Sequence, residues 1–276
     1  MICFPNAKIN IGLKILEKTS DGFHNIESVF YPIGLSDILE LVEVKNSKTE
    51  TEITFNSTGI KIPGETNSNL CVRAYHLIKN DYSLPAIKVH LHKIIPIGAG
   101  LGGGSSDAAF FIKLLNDAFE IGISWGEMHN YARQLGSDCS FFISNKSSFA
   151  EGRGDRYEYI PLDLSSYFLV LVSPPIHIAT AEAYARVIPK VATTSLEDDI
   201  INESIASWKN TISNDFEISV FEKYPRIKEI KEIIYSQGAI YASMTGSGSS
   251  VYGIFKHQAD VQKKFQDCFV WQGQLK

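Results

Sequence analysis

The segment Pro96-Ile97-Gly98-Ala99-Gly100-Leu101-Gly102-Gly103-Gly104-Ser105-Ser106-Asp107 sets five glycines between a strand pattern at 87–91 and a helix pattern at 108–119. Glycine adopts positive φ and lets another molecule approach the backbone without a Cβ in the way. A loop of this kind opening a helix presents N–H groups with no intrahelical partner and the positive end of the helix dipole. Together these make an anion site, most often for phosphate. A flexible linker is the other reading, but linkers are seldom bounded so tightly by a strand and an apolar helix. No Gly-Lys-Ser/Thr follows, so the lysine that a P-loop offers to the β- and γ-phosphates is not local. Gly98, Gly100 and Gly103 fit G-x-G-x-x-G. The preceding strand, however, carries Lys88, His90 and His92 on one face, unlike the buried parallel strand of a dinucleotide fold. A cation and a base must therefore come from elsewhere in the chain.

The elements that would position them follow from periodicity. Ile9, Ile11, Leu13 and Ile15 alternate with Lys8, Asn10, Gly12 and Lys14, a strand whose apolar set faces the core and whose opposite face holds Lys8 and Asn10. Thr19-Ser20-Asp21-Gly22 reads as a turn delivering Phe23 and His24 onto a second strand toward Phe30. Strand patterns follow at 39–44 and 52–55, and a helix starts near Asn69. In the helix after the glycines, Ala108, Ile112, Leu115 and Phe119 form one stripe, with Ser105 or Ser106 as the expected N-cap. Ser124 and Glu127 form a capping box for a helix ending at Gly136, and Ser137-Asp138 follows, placed to start a short helix. A tight turn is expected at 151–155, where Arg153-Gly154-Asp155 reads as a hairpin and not as an adhesion signal, with a boundary between two halves there or just after. Beyond it come a buried strand at 168–172 halted by Pro174-Pro175, helices at 180–187, 217–221 and 226–236, and strands at 239–244 and 251–255. A second small-residue loop, Thr245-Gly246-Ser247-Gly248-Ser249-Ser250, separates the last two strands. Hairpins mixed with helices, without strict βα alternation, predict an α+β protein.

At 276 residues, 44% hydrophobic and 21% charged, the chain has the make-up of an ordinary globular protein with one large or two smaller domains. A net charge of −5 argues against nucleic acid or an anionic membrane as the main partner, so a bound nucleotide must be held by local donors. With no spanning segment and no signal-like start, the expected location is the cytoplasm. Cys3, Cys71, Cys139 and Cys268 are scattered and read as free thiols, with neither zinc nor disulfide spacing.

The run 96–106 resembles the second motif of the GHMP kinases. The other two family motifs occur in order: Ala7-Lys8-Ile9-Asn10 early, and Met244-Thr245-Gly246-Ser247-Gly248-Ser249 late. Further stretches resemble the branch of that family acting on a cytidine-diphosphate-linked methylerythritol: Lys8-Ile9-Asn10 with Asp21-Gly22-Phe23-His24, then Leu135-Gly136-Ser137-Asp138, and Ser213-Asn214-Asp215-Phe216-Glu217. The likeness runs from Pro5 to about Phe255. It implies a two-domain fold, with a ribosomal S5-like N-terminal domain over 1–157 and a ferredoxin-like C-terminal domain over 158–276. It also implies a small-molecule alcohol kinase using ATP and Mg²⁺.

On the residues alone, Asp138 is equally a helix N-cap or a proton-accepting carboxylate, and the resemblance favours the general base. Lys8 alone would be a solvated strand lysine; by resemblance it is the cation beside the base. Pro96, Ile97, Gly98, Ala99, Gly100, Leu101, Gly102, Gly103, Gly104, Ser105 and Ser106 are expected to wrap the ATP phosphates. Asp107 is left out of that set, since a carboxylate there suits the dipole but competes with phosphate. The loop 245–250 reads either as a Gly/Ser turn or, by resemblance, as a second glycine loop near the phosphates, with Gly246, Ser247 and Gly248 as contacts. The resemblance further assigns Asn10, Phe23, His24, Thr180 and Tyr184 to the substrate, Phe23 and His24 stacking on and hydrogen-bonding the cytosine. The family more often has tyrosine at the position of Phe23; phenylalanine still stacks. Ser137, Cys139 and Ser140 also depart from the family's usual residues around Asp138. His90 and His92 share a strand face but lack a third metal ligand, so a solvated edge is expected. Asn214-Asp215 is either an N-cap pair or part of the substrate wall. Homoserine or mevalonate as acceptor, and a silent nucleotide-binding module, are the competing functions.

Overall fold

The structure, a computed structural model, describes residues 1–45, 52–187, 189 and 194–275. Its strands are β1 (Ile2–Cys3), β2 (Asn6–Lys18), β3 (His24–Ser36), β4 (Ile38–Glu43), β5 (Ile53–Gly59), β6 (Ile87–Lys93), β7 (Ser148–Glu151), β8 (Arg156–Tyr159), β9 (Phe168–Ser173), β10 (Tyr241–Met244), β11 (Val251–Phe255) and β12 (Phe269–Gln274). Its α-helices are α1 (Leu70–Lys79), α2 (Gly103–Phe119), α3 (Trp125–Leu135), α4 (Cys139–Ser144), α5 (Thr180–Ala185), α6 (Leu196–Asn202), α7 (Trp208–Thr211), α8 (Phe216–Lys223) and α9 (Pro225–Ser236). None of the described helices is long and apolar enough to cross a membrane. The chain forms two compact units, each assembled from more than one stretch of sequence.

The first unit comprises Met1–Ala7, Leu35–Ile97 and Gly102–Asn145. Its sheet runs β1-β4-β6-β5, with β5 parallel to β6 and the other pairs antiparallel. Leu39, Leu41, Val89 and Leu91 are buried on the face over which α1 and α2 lie, while α3 and α4 pack on α2. Asn69 caps α1 by accepting from the Cys71 N–H at 2.9 Å, and α3 has the capping box expected of Ser124 and Glu127. The expectation of an edge strand at His90 and His92 is corrected. β6 is interior to the sheet, and both imidazoles meet the Thr58 hydroxyl, at 3.0 and 2.9 Å. Parallel pairing with β5 places Thr58 opposite His92.

The second unit comprises Lys8–Gly34, Gly98–Leu101 and Lys146–Lys276. It contains most of a sheet ordered β2-β3-β7-β8 and all of the antiparallel sheet β10-β11-β9-β12. The predicted turn at 151–155 joins β7 to β8. Strand β9 lies inside its sheet, which explains its uninterrupted apolar run, and α9 covers β10 and β11 through Ile227, Ile230 and Ile234. β12 was not anticipated, because Phe269-Val270-Trp271-Gln272-Gly273-Gln274 has no clean alternation; backbone pairing with β9 makes it a strand. Helices α6 and α7 were also unanticipated, being too short to show a period.

Candidate active site

In the second unit, β2 carries Lys8 and Asn10 into the interior. The expectation of a solvated polar face is corrected: Lys8 is 3% exposed and Asn10 2%. Other elements of the same unit cover that face. The Lys8 ammonium donates to Asn10 Oδ1 at 2.5 Å and lies 4.3 Å from the centre of the Phe30 ring. Asn10 Oδ1 also accepts from the Thr245 hydroxyl at 3.2 Å, and Asn10 Nδ2 donates to Ser28 Oγ at 2.8 Å. The Thr245 hydroxyl has one proton to share between Asn10 Oδ1 and the Gly100 carbonyl, so Asn10 Oδ1 is held chiefly by Lys8.

The two small-residue loops meet beside this strand. The Lys8 N–H donates to the Leu101 carbonyl at 3.0 Å, and the Thr245 hydroxyl reaches the Gly100 carbonyl at 3.0 Å. The Ser250 N–H donates to the Ala99 carbonyl at 3.3 Å. A Cβ on Gly100 would stand 2.0 Å from the Thr245 carbonyl oxygen, and Gly100 has φ +78°. Only glycine allows that approach. Gly246, in turn, would place a Cβ 3.1 Å from Gly100 Cα. Asn214 anchors the late loop, its amide donating to the Met244 and Gly246 carbonyls at 2.9 and 2.8 Å while its oxygen accepts from the Phe216 N–H. Asn214 is thus a structural tie across 244–246 and also holds the first N–H of α8 from the residue before its N-cap, Asp215. Lys8 and Asn10 of the first motif, Gly98–Leu101 of the second and the late loop 245–250 thus lie together in this unit.

The nucleobase-type residues lie in the same unit. The ring of His24 stacks on Tyr184, with centroids 4.7 Å apart and planes 21° from parallel, and Tyr184 meets Phe216 edge-on at 4.8 Å. Burial, with Lys18 nearby, holds the His24 imidazole below its ordinary pKa, so it is neutral at pH 7 and can both donate and accept. Phe23 is 53% exposed, and the Arg153 guanidinium lies 4.0 Å from its ring centre while pairing with Asp21. Arg153 belongs to the triplet assigned only to a turn. It also fixes Phe23, which nothing in the sequence indicates. Thr180 begins α5 and is exposed. His177, unremarked in the sequence, packs on the glycine run: a Cβ at Gly98 would lie 2.7 Å from its ring.

In the first unit, α2 begins earlier than expected and without a serine cap. Gly102, at φ 69°, is the N-cap and makes no side-chain capping bond, and Ser105 and Ser106 lie inside the first turns. The cause is backbone freedom: a left-handed Gly102 turns the chain directly into the helix, leaving the first N–H groups uncapped by side chains. Ser106 Oγ is buried and unpartnered, while Gly104 is exposed with nothing within 4 Å of a would-be Cβ. Asp138 occupies the N-cap position of α4 yet makes no capping hydrogen bond, so the cap reading of its side chain fails. It is half-buried. Beside it, burial pushes the Cys139 thiol up to about 11. Burial likewise raises the Cys3, Cys71 and Cys268 thiols, so all four stay protonated at neutral pH.

Asp107 turns inward. It pairs with Lys93 at 2.7 Å, and Lys93 also pairs with Asp37 at 2.5 Å. Burial raises the Asp107 carboxyl to about 7, against an ordinary value of 3.8. Between those two pH values the unfolded chain has lost the proton that the folded chain keeps, so this group's stabilisation is complete below pH 4 and falls as pH rises to 7. Relative to wild type, Asp107→Asn should therefore gain on the order of 1–4 kcal/mol between pH 5 and pH 8 in urea titrations. A difference independent of pH would remove Asp107 as the titrating group.

Two family models match: "GHMP kinases N terminal domain" over residues 69–146 and "GHMP kinases C terminal" over residues 196–269. A 4-diphosphocytidyl-2-C-methyl-D-erythritol kinase of Cytophaga hutchinsonii is 52% identical over 256 residues, 92% of each chain. One of the same name from Bacteroides fragilis is 48% identical over 277 residues, covering all of both chains. A crystal structure of 4-(cytidine 5'-diphospho)-2C-methyl-D-erythritol kinase superposes with a TM-score of 0.81 at 26% identity, covering 99% of this chain and 98% of that one. With such relatives matched from end to end, and the three motifs gathered as described, this chain belongs to the GHMP kinases.

Proposed function

We propose that the protein transfers the γ-phosphoryl group of ATP to the 2-hydroxyl of 4-diphosphocytidyl-2-C-methyl-D-erythritol, a step in isoprenoid precursor synthesis. The observation that carries this reading is the joining of Lys8, the segment Gly98–Leu101 of the glycine run and the loop 245–250 in one unit that also holds Phe23, His24 and Tyr184. Full-length relatives named for that reaction support it.

The residues divide by role. N–H groups of the run 96–106 bind the triphosphate, and the uncapped start of α2 supplies the dipole. Gly246, Ser247 and Gly248 close on the phosphates and the methylerythritol end. Phosphoryl transfer asks chiefly for positioning and charge stabilisation. Asp138 takes the proton of the attacking hydroxyl, and Lys8, held by Asn10, offsets the charge that develops. Asn10 positions Lys8 and lies on the substrate side. The cytosine lies against Phe23, and the neutral His24, set by Tyr184, hydrogen-bonds its edge; Thr180 lies one turn before Tyr184, on the substrate side. When bound with ATP, Mg²⁺ would supply charge neutralisation at the transferring phosphate. Among the described residues no cluster of His, Cys, Asp and Glu forms a metal cage. No protein ligand is assigned to the cation. The ATP-binding part is assigned to 1–157 and the second part to 158–276, with the cytoplasm as the place of reaction.

An ADP-release assay over the cytidyl alcohol, homoserine and mevalonate tests the assignment: turnover on either of the latter two in preference to the first would defeat it. Within it, Phe23→Ala should raise KM for the cytidyl alcohol by about 10–100-fold, the worth of one aromatic stack. KM for ATP should stay put. Equal changes in both would show that Phe23 acts through the fold.

A further inference from the structure

Lys93, Asp37 and Asp107 are 3%, 0% and 3% exposed, and nothing in the assigned chemistry uses them. Asp37 lies between β3 and β4, Lys93 ends β6, and Asp107 sits just beyond the first turn of α2. The Lys93 ammonium bridges one oxygen of each carboxylate. The other oxygen of Asp37 accepts the backbone N–H of Ile94 at 2.5 Å and of Ile95 at 2.9 Å. These are the two residues leading into the glycine run. A Cβ at Gly103, the first residue of α2, would stand 3.0 Å from Lys93 Nζ and 2.9 Å from Ile95 Cγ2. One ion cluster thus holds both the strand end entering the run and the helix leaving it.

Its energetics are poor as mere cement. Two carboxylates share one ammonium, and Asp107 Oδ1 is buried with no hydrogen-bond partner. Such groups cost desolvation that an apolar trio of similar volume would avoid, often with a gain in stability. An apolar trio could not accept the Ile94 and Ile95 N–H groups, nor fix their spacing from α2. What the charges add is geometry.

We propose that Asp37, Lys93 and Asp107 are positioning residues for nucleotide binding: they hold the two ends of the glycine run at one spacing, so that the N–H groups opening α2 are preformed for phosphate. The inference rests on the reading of the run as the ATP site. A loop held in its bound form binds more tightly because less ordering is required on binding.

The test is Asp107→Asn, which keeps the shape and, measured at pH 8 where Asp107 is ionised, removes the charge. Calorimetry with a non-hydrolysable ATP analogue should show affinity weakened about tenfold, near 1.4 kcal/mol. Thermal midpoint should be equal or higher, and steady-state KM for the cytidyl alcohol unchanged. A folded variant with wild-type analogue affinity overturns the proposal, as does a KM for the alcohol that rises in step with that for ATP. Asp37→Asn, which keeps an oxygen for Ile94 and Ile95, is measured in the same way should the first variant not fold. A wild type that binds the analogue but phosphorylates none of the alcohols overturns the assigned substrate alone, since the affinity comparison still stands. A wild type without affinity for the analogue overturns both.

Discussion

Asp138→Asn is expected to slow phosphoryl transfer by about 10²–10⁴-fold, the usual contribution of a positioned general base. The start of α4 should be unaffected by the change. Asp138 sits just before α4, half-buried and without a capping bond to that helix, so an isosteric amide leaves the helix start as it was. A single-turnover experiment at saturating ATP and cytidyl alcohol isolates the step, because a slow product release would mask it at steady state. The loss should fall on the rate, with analogue affinity retained. A variant of normal speed would remove Asp138 from proton transfer and return it to a structural place at the head of α4.

The second large effect separates two glycines four residues apart. Gly100→Ala places a methyl group 2.0 Å from the Thr245 carbonyl oxygen at φ +78°, where neither backbone can yield without parting the two loops. Left-handed backbone costs about 1–2 kcal/mol for a residue with a Cβ, and overpacking adds about 1–3 kcal/mol. Activity should disappear together with several degrees of thermal midpoint. Gly104→Ala should do the reverse. Its added methyl meets nothing within 4 Å and lies in helix α2, so stability should be unchanged or higher by up to about 1 kcal/mol. If phosphate approaches that backbone, KM for ATP must still rise. The pair is read by differential scanning calorimetry beside steady-state kinetics; an active Gly104→Ala enzyme with unaltered KM would move the phosphate away from the helix start.

Legibility in the sequence varied with the range of the interaction. Strand β2 was plain from Ile9, Ile11, Leu13 and Ile15, and α3 from Ser124 and Glu127, because a period and a cap are local properties. The start of α2 was misplaced for a related reason. Serine is the usual cap, and only the left-handed Gly102 allows the helix to begin before Ser105. Arg153 looked like an ordinary turn residue, since its seat on Phe23 depends on two hairpins meeting across about half the chain. Lys93 adjoins the glycine run, yet its partner Asp37 lies 56 residues earlier and carries no motif.

Residue types and their order were sufficient for the kind of chemistry: a glycine run opening a helix favours an anion, and three family motifs in order point to the kinase fold. Tertiary structure alone decided which polar groups are used up inside the protein. Asn10 is turned onto Lys8 and Thr245, Asn214 onto the late loop, and Asp107 onto Lys93. The physical reason is that a buried donor or acceptor must find a partner, and that partner is chosen by packing across the chain, which no local spacing records.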